Sequence, residues 1–398
     1  MERSDKTSTV ICQFYKLISR KVSISVVKCK LMRLLSQQNQ DQLAGKRVLV
    51  RGDLDVAISE SGEVLEDFRL GKLIPTLQFL LEGNVKQIII IGHLGRPQGD
   101  KGDKSNRGIL KLDRVAESLS KLLGQPITKL DEVIPSIIPE DKIAMLENLR
   151  FDPREESNDL EFAKQLSGFS DLFVNDSFAT CHRAHASMVG IPKFLPSYAG
   201  LQLEKEVEVL SQVMTNPKRP LVVIIGGAKL ETKVSVIDNF EGHADVILVG
   251  GKIGFDSSLA GRHIGRPLQF VTEVVASEAR VQKGGTTELK LPIDFIGDKK
   301  DIGPETVKNF IENIKTAGTI IWNGPLGMFE DPAYKEATEN IAGAVAASTA
   351  FKVVGGGDTV EVLQKLCLLD KMDFVSTGGG AMLELLAGKE LPGIKSLE

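Results

Sequence analysis

At 398 residues the chain is long enough for two or three domains. With 42% hydrophobic and 26% charged residues it has the balance of a globular protein. A net charge of −4 argues against a general nucleic-acid binder, and no apolar run reaches bilayer-spanning length, so neither nucleic acid nor membrane is an expected partner.

The first 33 residues hold eight basic side chains and two acidic ones. They read either as a transit segment or, preferably, as a mis-assigned start with Met32 as the first residue of the foldable chain. Periodic sequence begins near Leu43. From there a short apolar run, a polar or glycine-rich turn and a helical stretch repeat. The runs are Val48–Val50, Gln87–Ile91, Asp171–Val174, Leu221–Ile225, Asp245–Val249, Thr319–Trp322, Lys352–Val354 and Phe374–Val375. They are β-branched and do not alternate, as expected of parallel strands buried on both faces.

Around Pro192, Pro196 and Gly200 the pattern breaks, and a helix from about Gln202 links two halves. Val307, Phe310, Ile311 and Ile314 keep helical spacing between Pro304 at a first-turn position and Gly318 at a stop. Asp331 and Pro332 are expected to cap and start the next helix. The prediction is an α/β protein of two doubly wound, Rossmann-like domains with parallel sheets joined by a hinge helix. Its parts are an extension over 1–33, domains over 34–199 and 200–380, and a tail over 381–398. Cys12, Cys29, Cys181 and Cys367 form neither a CxxC pair nor a metal cluster and suit a reducing, cytoplasmic setting.

Ligands in such sheets bind beyond the C-terminal ends of the strands. In the first half those positions are cationic. They carry Arg51, Arg96, Arg150 and Arg183, with Arg69 close behind, beside Asp53, Asp55 and three of the five histidines, His93, His182 and His185. Arg51-Gly52-Asp53 also spells an adhesion tripeptide, which the reducing setting argues against. One arginine alone is most simply a solvated surface residue. Five at one sheet edge, each a planar fork for carboxylate or phosphate, suit a small substrate with several anionic groups. In the second half the same positions are glycine-rich: Gly226-Gly227, Gly250-Gly251, Asn323-Gly324, Gly355 to Asp358 and Gly378 to Gly380. Such turns let phosphate approach backbone N–H groups at a helix start. Lys229 and Lys233 lie four apart on one helical face. Asp358 is placed to hold magnesium on a nucleotide and Glu330 to meet a ribose hydroxyl. The sequence has neither GxxxxGK[ST] nor GxGxxG. An anion-binding half and a nucleotide-phosphate half together suggest phosphoryl transfer. Cys181 beside His182 is the one candidate for a covalent route, and its simpler reading is incidental.

In order along the chain, GHLGRP (92–97), ENLRF (147–151), FVNDSFATCHRAHAS (173–187), GGAKLETK (226–233), LPIDF (291–295), DIGPET (301–306), IIWNGPLGMFE (320–330), GGGDT (355–359) and STGGGAMLELLAGKELPG (376–393) resemble the signatures of the phosphoglycerate kinase family. The resemblance covers the chain from about residue 34. It implies a cytoplasmic, monomeric glycolytic enzyme that transfers the acyl phosphate of 1,3-bisphosphoglycerate to ADP, giving 3-phosphoglycerate and ATP, with Mg²⁺ on the nucleotide. It implies that Asp53, Asp55, Arg69, His93, Arg96, Arg150 and Arg183 hold the glycerate. Lys233, Asn323, Glu330, Gly356, Gly357, Asp358 and Thr359 would hold the nucleotide. Arg69, Lys229, Lys233 and the N–H groups of the Gly356 and Gly379 turns would neutralise the moving phosphoryl group in an in-line transfer.

The sequence departs from the family pattern at several positions. Asp55 and Ala57 stand where the family has Asn and Pro, Gly92 where it has Ser, and Thr232 where it has Asp. Lys252-Ile253 replaces Met-Ala, Lys299 replaces a Gly, and the stretch between LPIDF and DIGP is short. These changes raise the alternative of a family member that binds ligand with little turnover.

Overall fold

The structure, a computed structural model, describes residues 32–97, 107–227, 230–252 and 287–398. Lys229 and most of the basic segment 1–33 lie outside the described residues, as does the Thr232 side chain. Among the described residues, two compact units divide the chain: one comprises residues 32–208 with Glu390–Glu398, the other the described part of Val209–Lys389.

The first unit is a six-stranded parallel sheet of β1 (Arg47–Arg51), β2 (Gln87–Ile91), β3 (Thr128–Lys129), β4 (Ile143–Met145), β5 (Leu172–Asn175) and β6 (Ser197–Ala199), in the order β3-β4-β2-β1-β5-β6. Between their polar ends the central strands are apolar, as in Val48–Val50 and Ile88–Ile91, because helices cover both faces. Val48, Val50, Ile88 and Ile90 pack with Leu70, Leu73 and Leu77 of α1 (Phe68–Glu82) and with Val115 and Leu119 of α2 (Asp113–Leu123). The alternate residues Leu49, Ile89 and Ile91 pack with Phe162 and Leu166 of α3 (Leu160–Ser167). Strand order reverses between β1 and β5, so the crevice of this sheet opens where their loops diverge.

Both ends of the described chain join this unit. Leu34 bridges in parallel to Ala199, and the Arg33 N–H donates to the Leu397 carbonyl at 3.1 Å.

α4 (Leu201–Thr215) carries the chain into the second unit. There β7 (Leu221–Ile225), α5 (Leu230–Phe240), β8 (Val246–Val249) and β9 (Glu288–Lys290) are followed by an antiparallel pair, β10 (Phe295–Ile296) and β11 (Asp301–Ile302). The unit continues through α6 (Pro304–Thr316), β12 (Thr319–Asn323), α7 (Glu336–Ala347), β13 (Phe351–Gly355), α8 (Gly357–Lys365), β14 (Phe374–Val375) and α9 (Gly379–Leu386). The parallel order is β14-β13-β12-β7-β8-β9, with its reversal between β7 and β12.

Two boundaries differ from the sequence reading. The helix expected at Asp331 begins at Glu336. Asp331 Oδ1 closes a local turn on the Ala333 N–H at 3.0 Å, and Asp301 Oδ2 receives the Ala337 N–H from outside the helix. Residues 381–389, read as part of the tail, belong to the second unit. α9 buries Met382, Leu385 and Leu386, and the Leu386 carbonyl accepts from Asn239 Nδ2 on α5. The returning segment is therefore 390–398, containing α10 (Pro392–Lys395).

Candidate functional site

The strand ends of the first unit carry a buried cluster of charge. Arg51 closes β1 and is fully buried, and Asp53 is 3% exposed, so the tripeptide faces inward and cannot serve as an adhesion loop. Arg51 Nη2 lies 2.8 Å from His93 Nδ1, its Nε donates to Ser187 Oγ at 3.1 Å, and Nη1 donates to the Gly52 carbonyl. Ser187 Oγ in turn donates to Glu155 Oε1 at 2.5 Å, and the Ser187 N–H donates to Oε2 at 2.9 Å.

Arg69 comes from α1. Its Nε is 3.9 Å from Asp53 Oδ2, its Nη1 is 3.9 Å from Asp55 Oδ2, and Nη1 also donates to the Asp55 carbonyl. Neither oxygen of the Asp53 carboxylate has a hydrogen-bond partner.

The loop after β2, GHLGRP, is held from three directions. Asp55 Oδ1 accepts the Gly95 N–H at 2.8 Å, and Arg150 Nη1 donates to the Gly95 carbonyl at 2.8 Å. Asn148 Nδ2 donates to the Leu94 and Leu110 carbonyls, while its Oδ1 accepts from the Leu94 and Arg150 N–H groups.

Burial sets the charge states. It drives His93 well below the ordinary imidazole value, reinforced by Arg51, Arg150, His185 and Arg69. His185 falls to about 3 through burial and the nearby Arg150, Arg51 and Arg183. Both imidazoles are therefore neutral at pH 7, and the positive charge is that of the arginines. Burial raises Asp53, with Arg69 as the principal opposing charge. Cys181 is buried and its thiol is pushed up by burial, which removes it as a thiolate nucleophile.

Of the residues expected at this end, Asp53, Asp55, Arg69, His93 and Arg150 are brought together. Arg183 lies within electrostatic reach of Arg150 and His185 and is half-buried. Arg96 is exposed at the loop tip. Sequence reasoning did not single out Asn148, Glu155 or Ser187. Asn148 and Ser187 were at least visible as polar residues inside the ENLRF and FVNDSFATCHRAHAS motifs. Glu155 follows no strand, and no local pattern marks it.

In the second unit the loops after β7 and β12 close on each other through their backbones. The Gly226 N–H donates to the Asn323 carbonyl at 3.0 Å and the Gly227 N–H to the Pro325 carbonyl at 2.6 Å. A Cβ at Gly226 would collide with the Pro325 carbonyl. Lys233, from α5, is buried and donates Nζ to the Gly226 carbonyl. The neighbouring turn joins β13 to α8 through Gly356, whose φ of +101° favours glycine. A Cβ at Gly379, the start of α9, would lie 2.5 Å from the Gly356 Cα, so two helix starts meet backbone to backbone. Asn323 Nδ2 ties this turn to β12 by donating to the Gly355 carbonyl at 2.8 Å.

Thr359 is buried, and its hydroxyl accepts the Gly324 N–H at 2.7 Å, so it serves the loop. Asp358 is exposed in the first turn of α8. Glu330 is exposed on the turn whose Met328 N–H donates to the Lys300 carbonyl between β10 and β11. Among the described residues no three His, Cys, Asp or Glu side chains gather as a metal site.

A cationic crevice with an unsatisfied carboxylate at one switch point, and a glycine-lined cradle at another, define the class as a two-unit α/β protein of phosphoryl transfer. The family model described as phosphoglycerate kinase matches residues 38–300 and 256–389, and the chain belongs to the phosphoglycerate kinase family. It is 39% identical to a phosphoglycerate kinase of Dictyoglomus turgidum over 92% of this chain and 98% of that protein. It is 41% identical to one of Rubrobacter xylanophilus over 89% and 96%. Among solved structures, the phosphoglycerate kinase from Coxiella burnetii superposes with a TM-score of 0.74 at 35% identity, covering 92% of this chain and 98% of that one. The Pyrococcus horikoshii OT3 enzyme gives 0.75 at 28% identity over the same shares.

Proposed function

We propose that the protein is a phosphoglycerate kinase, moving the acyl phosphate of 1,3-bisphosphoglycerate in line to ADP and giving 3-phosphoglycerate and ATP. The observation that carries this reading is Asp53: a buried carboxylate with no hydrogen-bond partner, set among arginines. Arginine forks ask for anionic groups, while an acceptor-only carboxylate asks for a donor. A glycerate phosphate supplies both, with anionic ends and a hydroxyl between them.

In this reading Asp53 takes the hydroxyl. Arg69, Arg150, Arg183, Arg96 and His93 hold the anionic groups, and Asp55 shapes the loop that presents them. Lys233, Asn323 and the Gly356–Thr359 turn hold the nucleotide, with Glu330 at its ribose. Arg69, Lys229, Lys233 and the N–H groups at Gly356 and Gly379 neutralise the transferred group, which needs positioning and charge stabilisation but no nucleophile from the protein. Asp358 suits magnesium carried on nucleotide phosphates, because it is a single exposed carboxylate at a helix start, and magnesium is commonly bound through one or two carboxylates plus phosphates. The ion would offset phosphate charge.

A cytoplasmic monomer acting on these small molecules alone completes the reading. The scattered thiols support the cytoplasmic part of this reading.

A coupled assay with 1,3-bisphosphoglycerate and ADP tests the proposal. Turnover in the wild type with a loss of at least a hundredfold in Arg69→Ala is expected. Equal rates in the two would overturn it.

A further inference from the structure

Each guanidinium nitrogen of Arg51 already has a partner within the protein: Nε donates to Ser187, Nη1 to the Gly52 carbonyl and Nη2 to His93. The direction of those bonds follows from chemistry. A guanidinium only donates, so His93 Nδ1 must accept, and the imidazole proton sits on Nε2. Nε2 lies on the side of Asp55 and Arg69, 3.7 Å from Asp55 Oδ2. On its other flank Arg51 Nε needs an acceptor. Ser187 supplies one because its own hydroxyl proton is spent on Glu155, a fully buried carboxylate that also takes the Ser187 N–H. The buried Arg51 and Glu155 charges thus answer each other across a single hydroxyl.

We propose that Arg51 is a positioning residue for phosphoglycerate binding, held by Glu155 through Ser187, and that it fixes His93 as the Nε2–H tautomer with that N–H facing the anion site. The inference rests on the phosphoglycerate reading of the crevice. It gives a buried arginine next to the site a role other than contacting substrate. In a neutral His93 of the opposite tautomer, Nε2 would turn a lone pair toward an anionic ligand and repel it.

The groups facing His93 are Arg51 from β1, Asp55 from the following loop, Arg69 from α1, Arg150 from the loop after β4, and His185. Removing Arg51 takes away both the Nδ1 donor and one repelling charge. His93 then samples both tautomers and becomes easier to protonate.

The test uses the full-length protein with ¹⁵N-histidine labelling, His93 being assigned by its loss in His93→Gln. In the wild type, long-range ¹H–¹⁵N spectra should show one neutral form with Nε2 protonated, unchanged between about pH 6 and 8. Arg51→Met should show mixed tautomers and a His93 titration, and its 3-phosphoglycerate KM should rise about tenfold or more, consistent with losing a hydrogen bond to a charged group. The KM for ATP should stay within about twofold, since the nucleotide residues lie in the other unit. Phosphoglycerate affinity in this variant should also grow as pH falls.

A merely structural role predicts a lower Tm with the wild-type tautomer and KM, and that result overturns the proposal. Should Arg51→Met not fold, Ser187→Ala, which keeps both charges, decides in its place: a mixed tautomer with a raised KM supports the chain of bonds, while a wild-type tautomer and KM overturn it. Wild-type protein that does not bind 3-phosphoglycerate by calorimetry would sink the reading of the crevice. Binding that survives unchanged in the variants would sink only the role of Arg51.

Discussion

Asp55 Oδ1 accepts the Gly95 N–H at 2.8 Å while Oδ2 sits 3.7 Å from His93 Nε2 and 3.9 Å from Arg69 Nη1. One oxygen shapes the loop and the other spends negative charge inside an anion crevice. An asparagine would keep the first bond and replace the second oxygen with a donor. Asp55→Asn is therefore expected to lower the KM for 3-phosphoglycerate about three- to tenfold, the scale of a half-exposed ion pair worth about 1 kcal/mol. Steady-state kinetics check it. An unchanged or higher KM would show that the loop has adapted to the carboxylate.

Gly92 stands where the family pattern has serine, and here it packs against Leu54. A Cβ at Gly92 would come 2.5 Å from Leu54 Cδ1 and 2.6 Å from its Cγ, and Leu54 is fully buried. The larger side chain occupies the space the serine would need. Gly92→Ser should destabilise the protein by about 1–3 kcal/mol through overpacking. The same change made on Leu54→Ala should cost less, so that the two substitutions are non-additive. Denaturant unfolding of both singles and the double measures this, and simple additivity would refute it.

Gly379→Ala should weaken nucleotide binding about tenfold or more and leave 3-phosphoglycerate binding unchanged. The new methyl would meet the Gly356 Cα, a backbone atom that cannot step aside as a side-chain tip would. Displacing that turn moves the N–H groups at the head of α8, and misplaced donors lose most of their electrostatic benefit. Calorimetry with each ligand separately distinguishes this local effect from general destabilisation, which would weaken both.

Asp176 is buried, and burial raises its carboxyl from the ordinary 3.8 to about 6. Folding therefore favours the protonated form. This contribution is fully present below pH 3.8 and is lost as pH rises through about 6. Oδ1 accepts both the Gln202 and Leu203 N–H groups, at 2.9 and 3.0 Å, and an asparagine retains that oxygen. The difference in Tm between Asp176→Asn and wild type should shift in favour of the variant between about pH 4 and 6 and stay level above. A difference that is flat with pH would show that the carboxyl does not titrate in this window.

The fold was legible where strands are central. Gln87–Ile91, apolar after its first residue, and Leu221–Ile225 are buried along their whole length, and their limits could be read directly. Thr128–Lys129, Ser197–Ala199 and Glu288–Lys290 sit at sheet edges, two or three residues long and partly polar, and gave no run to see. Asp331 was misread for a related reason. An aspartate before proline looks like a helix cap, yet the cap of α7 comes from Asp301, thirty-six residues earlier in sequence. Within the crevice, strand-end arginines and glycines followed from topology. The Arg51–Ser187–Glu155 connection spans 136 and 32 residues and exists only once the sheet has formed.

The final residues have a consequence for biosynthesis. α10 buries Ile394, the Gly393 N–H donates to the Cys181 carbonyl, and Ser396 Oγ donates to the Met188 carbonyl. These bonds bracket the segment that carries Arg183, His185 and Ser187. A ribosome delivers that segment more than two hundred residues before the strap that fastens it, with the whole of Val209–Lys389 made in between. The first unit to emerge is thus closed only after the second has been made, and the anion crevice gains its full set of fastenings only once residues 390–398 have emerged.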